Sequence, residues 1–103
     1  MGRSSRSGGA SVDASGRWVL WGEIDVTVAW EVHEILEETV DGTRKTLDLE
    51  QVTFIDSSGL RLILLACGGA SRPRLLNVPP VVRDVLEMTS LDSFVDMVDE
   101  PSA

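Results

Sequence analysis

A chain of 103 residues, 43% hydrophobic and 25% charged, is enough for one soluble globular domain with a single modest core. Seventeen acids against nine bases give a formal net charge of -8, which argues against direct nucleic-acid binding, since that needs a basic footprint. No run of about 18 apolar residues exists for a transmembrane helix, and the N-terminus lacks the apolar stretch of a secretory signal.

Cys67 is the only cysteine, so no internal disulfide can form, and a cytoplasmic location is expected. The acidic surface serves solubility first and is compatible with a basic protein partner. Residues 1–10 are mostly Gly, Ser and Arg without apolar periodicity and are expected to form a flexible tail. The ordered domain is placed at residues 11–98, with a short C-terminal tail at 99–103. Ser11-Val12-Asp13-Ala14 is a candidate first strand. Arg17-Trp18-Val19-Leu20-Trp21 is a stronger one, and Gly16 before it suits a hairpin turn.

Gly22-Glu23-Ile24-Asp25 leads into a helix. Ala29, Trp30, Val32, His33, Ile35, Leu36 and Val40 fall on helical spacing among Glu31, Glu34, Glu37 and Glu38. Thr27 is the expected N-cap, and Asp41-Gly42 ends the segment. Residues 44–49 read as a strand, and residues 51–55 carry the chain to Asp56-Ser57-Ser58-Gly59. There an apolar stretch meets an acid, two hydroxyls and a glycine, and a new apolar helix begins. Ser57 or Ser58 is placed to cap it. The second helix, about residues 58–67, is apolar except for Arg61. Leu60, Ile63, Leu64 and Cys67 form one possible stripe toward the sheet, leaving Leu62, Leu65 and Ala66 for another helix or for a docking patch.

Residues 74–78 are the next strand, and Pro79-Pro80 opens a third helix with Val81, Val82, Val85, Leu86 and Met88 as its stripe. Thr89-Ser90 breaks it, and residues 93–98 are a candidate edge strand. The alternation predicts an α/β fold: a mixed, mostly parallel sheet of four or five strands with about three main helices. Val19, Leu20, Leu36, Leu47, Leu49, Phe54, Leu60, Leu64, Leu76, Val85 and Leu86 are the expected buried set. In such a sheet the strand-to-helix turns open at one edge, which would gather Asp25, Ser57, Ser58 and Arg61.

No catalytic set can be assembled. His33 is the lone histidine and lies mid-helix, no nucleophile-base pair can be named, and Gly68-Gly69 lacks the lysine of a phosphate-binding loop. With one histidine and one cysteine, no zinc site is expected, and no cofactor is implied. Cys67 reads as a packed core residue.

Gly22-Glu23-Ile24-Asp25, followed by Val52-Thr53-Phe54-Ile55-Asp56-Ser57-Ser58-Gly59-Leu60, resembles the STAS domain of bacterial anti-sigma factor antagonists. The stretch from Pro79 to Leu91 resembles that family's third helix and following loop. The resemblance implies a cytoplasmic, non-enzymatic domain that binds an anti-sigma factor with serine kinase activity and so frees a sigma factor. The kinase phosphorylates the serine after the motif's aspartate, here Ser57, and a serine phosphatase restores it. Asp25, Asp56, Ser57, Ser58, Gly59 and Arg61 are then the partner-binding residues. Three departures stand out. Arg61 occupies a position where the family often has glycine, residues 60–72 are short for the family, and the usual last helix is expected to be absent. Short STAS proteins that dock on the ATPase of lipid-transport ABC complexes are the alternative that the resemblance offers.

Overall fold

The structure, a computed structural model, describes residues 8–68 and 72–100. Its elements run in the order β1 (Gly8–Val12), β2 (Trp18–Ile24), α1 (Val26–Glu37), β3 (Thr46–Ile55), α2 (Ser57–Ala66), β4 (Arg74–Leu76), α3 (Pro80–Met88), a 3-10 turn (Leu91–Phe94) and β5 (Asp96–Val98). The strands form one five-stranded sheet in sequence order. β1 pairs antiparallel to β2, and every later neighbour is parallel. The mixed, mostly parallel sheet with three main helices matches the sequence expectation.

The hairpin between β1 and β2 closes on Asp13, whose carboxylate accepts from the backbone N–H groups of Ser15 and Arg17, with Gly16 at φ +89° completing the turn. These bonds, led by that from the Ser15 hydroxyl, hold the Asp13 carboxyl below its usual range. β1 begins at Gly8 and not at Ser11. Residues 8–10, expected in the tail, pair instead with residues 20–22. Gly8 and Gly9 fit because they lack side chains: a Cβ on Gly8 would lie 2.4 Å from the Glu23 carbonyl oxygen, and one on Gly9 2.7 Å from the Trp21 ring. Residues 1–7 and 101–103 lie outside the described residues.

β3 is one strand of ten residues, continuous where the sequence suggested two pieces. Register shifts in the β2–β3 pairing leave Glu23 opposite Phe54 and Ile24 opposite Ile55. Val52 and Ile55 take the buried positions, and Phe54 turns outward at 44% exposure. Simple alternation after Val52 would bring Phe54 inward, as expected from the sequence, but the register shift between Gly22 and Glu23 inserts an extra residue and Ile55 takes the inward position instead. Leu64, also expected inside, is 47% exposed. Val19 and Val85 are only half-buried. Leu20, Leu36, Leu47, Leu49, Leu60, Leu76 and Leu86 are buried as expected.

α1 packs on β1, β2 and α2, and α3 packs on β3. Buried Val28, Ala29, Val32 and Leu36 form the inner face of α1. In α3 only Val82 and Leu86 are buried, whereas Val81 and Met88 face outward. α2 buries Gly59, Leu60, Leu62, Ile63 and Ala66, so its stripe is rotated from the one centred on Leu64 and Cys67. Burying each large side chain of that stripe contributes about 1.5–3 kcal/mol, well above any surface ion pair. The stripe therefore decides which way α2 faces. The last strand is shorter than expected: residues 91–94 form a 3-10 turn, and only residues 96–98 pair. Trp18 is fully buried and its indole N–H donates to Thr39 Oγ1 at 2.8 Å, so its one polar group is satisfied.

Gly59 lets α2 sit close against the ends of β2 and β3. A Cβ there would lie 2.6 Å from both the Ile24 carbonyl oxygen and the Ile55 side chain. Gly59→Ala is expected to push α2 off the strand ends and cost about 1–3 kcal/mol in urea unfolding, because backbone cannot yield as a side-chain tip can. An unchanged urea midpoint would show that the contact is looser than described.

Candidate functional site

Ile24 and Ile55 are neighbours in register at the carboxyl ends of two parallel strands. Asp25 and Asp56 follow them directly, and the Asp56 N–H donates to the Ile24 carbonyl. Both strand-to-helix turns therefore open side by side. This is the gathering that a parallel sheet predicts.

The two turns are built alike. Asp25 is extended and caps α1: its Oδ1 accepts from the Val28 N–H at 3.0 Å, and its carbonyl accepts from Ala29. Thr27, expected as the cap, instead lies inside the first turn. Asp56 is extended and caps α2: its Oδ1 accepts from Ser58 N–H at 2.9 Å and Gly59 N–H at 3.1 Å. The cap is therefore Asp56, and neither serine. Aspartate ranks with serine as an N-cap, and an acid also gains from the helix dipole. The signal was present twice, in an acid directly after each strand.

With that duty assigned, Ser57 is the first helical residue and its side chain is exposed. Ser58 is half-buried and Gly59 is buried against the strands. Arg61 is exposed one turn beyond Ser57. Positions 57, 61 and 64 thus share the outer face of α2, at the i and i+4 or i+3 spacing that brings side chains together.

A groove of about 480 Å³ runs between α1 and α2. Val26, Ala29, Trp30, His33, Glu34, Glu37, Ser58, Arg61 and Leu62 line it. Trp30 is 79% exposed, unusual for the largest side chain on the protein. The sequence reading placed Trp30 on helical spacing with Ala29, Val32 and Leu36 without assigning it a face, and in the structure it lies nearly opposite Val28 and Val32 on the helix. The groove thus sets an exposed aromatic side chain beside the predicted residues. His33 is exposed, with Nδ1 4.0 Å from the Glu37 carboxylate. Among the described residues, no group of three or more His, Cys, Asp and Glu side chains is placed to hold a metal ion. Cys67 lies half-buried after α2, and burial pushes its thiol pKa up, which keeps it protonated.

Two substitutions separate the cap from its neighbour. Asp56→Ala should cost about 0.5–2 kcal/mol, the usual loss for an N-cap. Ser57→Ala should stay within about 0.5 kcal/mol, as expected for an exposed side chain without a partner. Paired thermal melts check both, and a larger loss from Ser57→Ala would return the cap to the serine.

Comparison with known proteins places this geometry in context. No curated protein matches the sequence. A solved structure described as that of the anti-sigma factor antagonist SpoIIAA in its unphosphorylated form superimposes with a TM-score of 0.70 at 25% identity, over 90% of this chain and 89% of that one. The family model described as "Mlab, STAS domain" matches residues 8–99. That match spans every strand and helix, so the chain belongs to the STAS domain family.

Proposed function

We propose that this protein is an anti-sigma factor antagonist: it binds an anti-sigma factor that is also a serine kinase, and phosphorylation of Ser57 switches it off. The observation that carries the reading is the exposed Ser57 hydroxyl, free of capping duty, at the edge where two acidic helix caps and a groove of mixed apolar and charged lining meet. The likeness to SpoIIAA, itself described as an anti-sigma factor antagonist, supports it. The protein works by binding and release in the cytoplasm and is not an enzyme. Asp25, Asp56, Ser57, Ser58, Gly59 and Arg61 form the partner surface, and Trp30 and Val26 extend it along the groove.

In the switching step Ser57 Oγ attacks the γ-phosphorus of ATP. The bond to ADP breaks, and the hydroxyl proton passes to a base of the kinase. The product carries about -1.5 to -2 extra charge next to Asp56 and Asp25. A kinase surface that fits a neutral hydroxyl then meets a crowded anion. A serine phosphatase restores the hydroxyl by hydrolysis. None of this requires α2 to move, because Asp56 holds the helix start in both states.

A second reading keeps the surface and drops the switch: a constitutive docking subunit of an ABC-type lipid-transport complex. Trp30 favours it, since a large exposed aromatic is an asset to a permanently paired subunit and a liability to one that spends time alone.

Incubation with the cognate kinase and ATP, followed by peptide mapping, tests the first reading. Phosphate is expected on Ser57, Ser57→Ala should bind without being modified, and Ser57→Glu should bind at least several-fold more weakly. Phosphate on neither serine, with Ser57→Glu binding normally and an ABC ATPase co-purifying, would overturn it in favour of the second. In either case Trp30→Ala should leave the melting temperature nearly unchanged and weaken partner binding by about tenfold or more, as for an aromatic anchor. Unchanged affinity would remove the groove from the interface.

A further inference from the structure

A phosphate on Ser57 has few places to put its charge. The helix start is the obvious acceptor of an anion, but the N–H groups of Ser58 and Gly59 already donate to Asp56. The caps of the two turns at this edge, Asp25 and Asp56, are carboxylates. Among the described residues of the two turns and the groove, Arg61 is the one Arg or Lys. The cations that form ion pairs are engaged elsewhere: Arg44 and Arg72 with Asp96, Lys45 with Asp41, Arg17 with Glu100. Arg61 forms no ion pair within the described residues.

We propose that Arg61 is the intramolecular reader of phosphoserine 57, clamping the phosphate across one turn of α2 and leaving the α1–α2 groove as it does so. The inference rests on the reading that Ser57 carries the phosphate. Residues i and i+4 of a helix lie side by side, and an acid N-terminal to a base is the favourable order. Both positions face solvent, so neither side chain must leave a packed site. The guanidinium can meet a phosphate with two parallel N–H donors, which a single ammonium cannot.

The consequence reaches beyond the phosphate. Arg61 lines the groove together with Glu34 and Glu37. Unmodified, the groove offers a partner one cation and two carboxylates around Trp30. With Arg61 drawn to the phosphate, only the carboxylates remain. A partner whose docking segment presents an acid to Arg61 loses that contact at the moment the phosphate arrives. Arg61 therefore couples the modified serine to the groove through one side chain.

The test needs neither kinase nor partner, so its outcome is separate from that of the functional reading. Phosphoserine is installed at position 57 of the full chain by genetic encoding, and the phosphate is titrated by phosphorus NMR. Its second pKa, about 6 in an unperturbed phosphoserine, should rise by about 0.15–0.4 pH unit on Arg61→Gln, which removes an i,i+4 pairing. Arg61→Lys should hold most of the wild-type value, and 1 M salt should erase the difference between wild type and Arg61→Gln. Circular dichroism confirms that each variant is folded. Identical titration curves for wild type and Arg61→Gln at low salt would overturn the proposal, even if the kinase is shown to modify Ser57.

Discussion

The Asp56 carboxylate accepts from two N–H groups at the start of α2, and that single arrangement leaves Ser57 with no structural task. The cap stands where it does because the sheet puts it there. Ile55 is held in register beside Ile24, and Asp56 donates its own N–H to the Ile24 carbonyl. Gly59 then lets the helix approach those same strand ends more closely than any side chain would allow. Strand register, acidic cap and glycine act as one unit. Asp25 repeats the capping arrangement on the neighbouring turn, so two acids flank the opening without either being an ionised group buried away from water.

What faces outward is decided by what is packed inward. α2 turns Leu62, Ile63 and Ala66 to the core and must then present Ser57, Arg61 and Leu64 on the other side. The polar residues have little say in this. A solvent-exposed charge pair is worth roughly 0–1 kcal/mol, less than one buried leucine. α1 follows the same logic, and the burial of Val28, Val32 and Leu36 leaves Trp30 exposed. The groove is thus bounded by the outer edges of two helices whose orientations were settled by the core.

The order of elements and the meeting of the two turns were legible in the sequence because both depend on local signals and one topological rule. Apolar runs alternate with helical spacing, and parallel strands bring their carboxyl ends together. Phe54 and Leu64 were misplaced for reasons no local pattern contains. Phe54 turns outward because the register between β2 and β3 is irregular, and a register is a relation between strands distant in sequence. Leu64 turns outward because a helix that is apolar nearly all round has several equivalent stripes, and only the neighbouring elements choose among them. The caps were legible and misassigned. Serine and threonine drew attention as side-chain acceptors, although the acid after each strand was an equally good cap and one or two residues better placed. Trp30 was readable too, since it sits about 200° round the helix from Val28, next to Glu31 and one turn before Glu34.

Separating the cap from the serine has a thermodynamic consequence for any switch at this site. Had the Ser57 hydroxyl held the helix start, modifying it would have removed a capping bond worth about 0.5–2 kcal/mol. For a domain whose whole stability is of order 5–15 kcal/mol, signalling would then have been coupled to loosening of the fold. With Asp56 as the cap, a charge added at Ser57 falls on a surface that contributes almost nothing to folding. The same added charge lies at the edge formed by two acidic caps and one turn from Arg61, the one arginine of the groove among the described residues, so it changes the charge of that surface. The helix cap and the exposed hydroxyl therefore sit on adjacent residues, and the surface charge at Ser57 can change without loosening the fold.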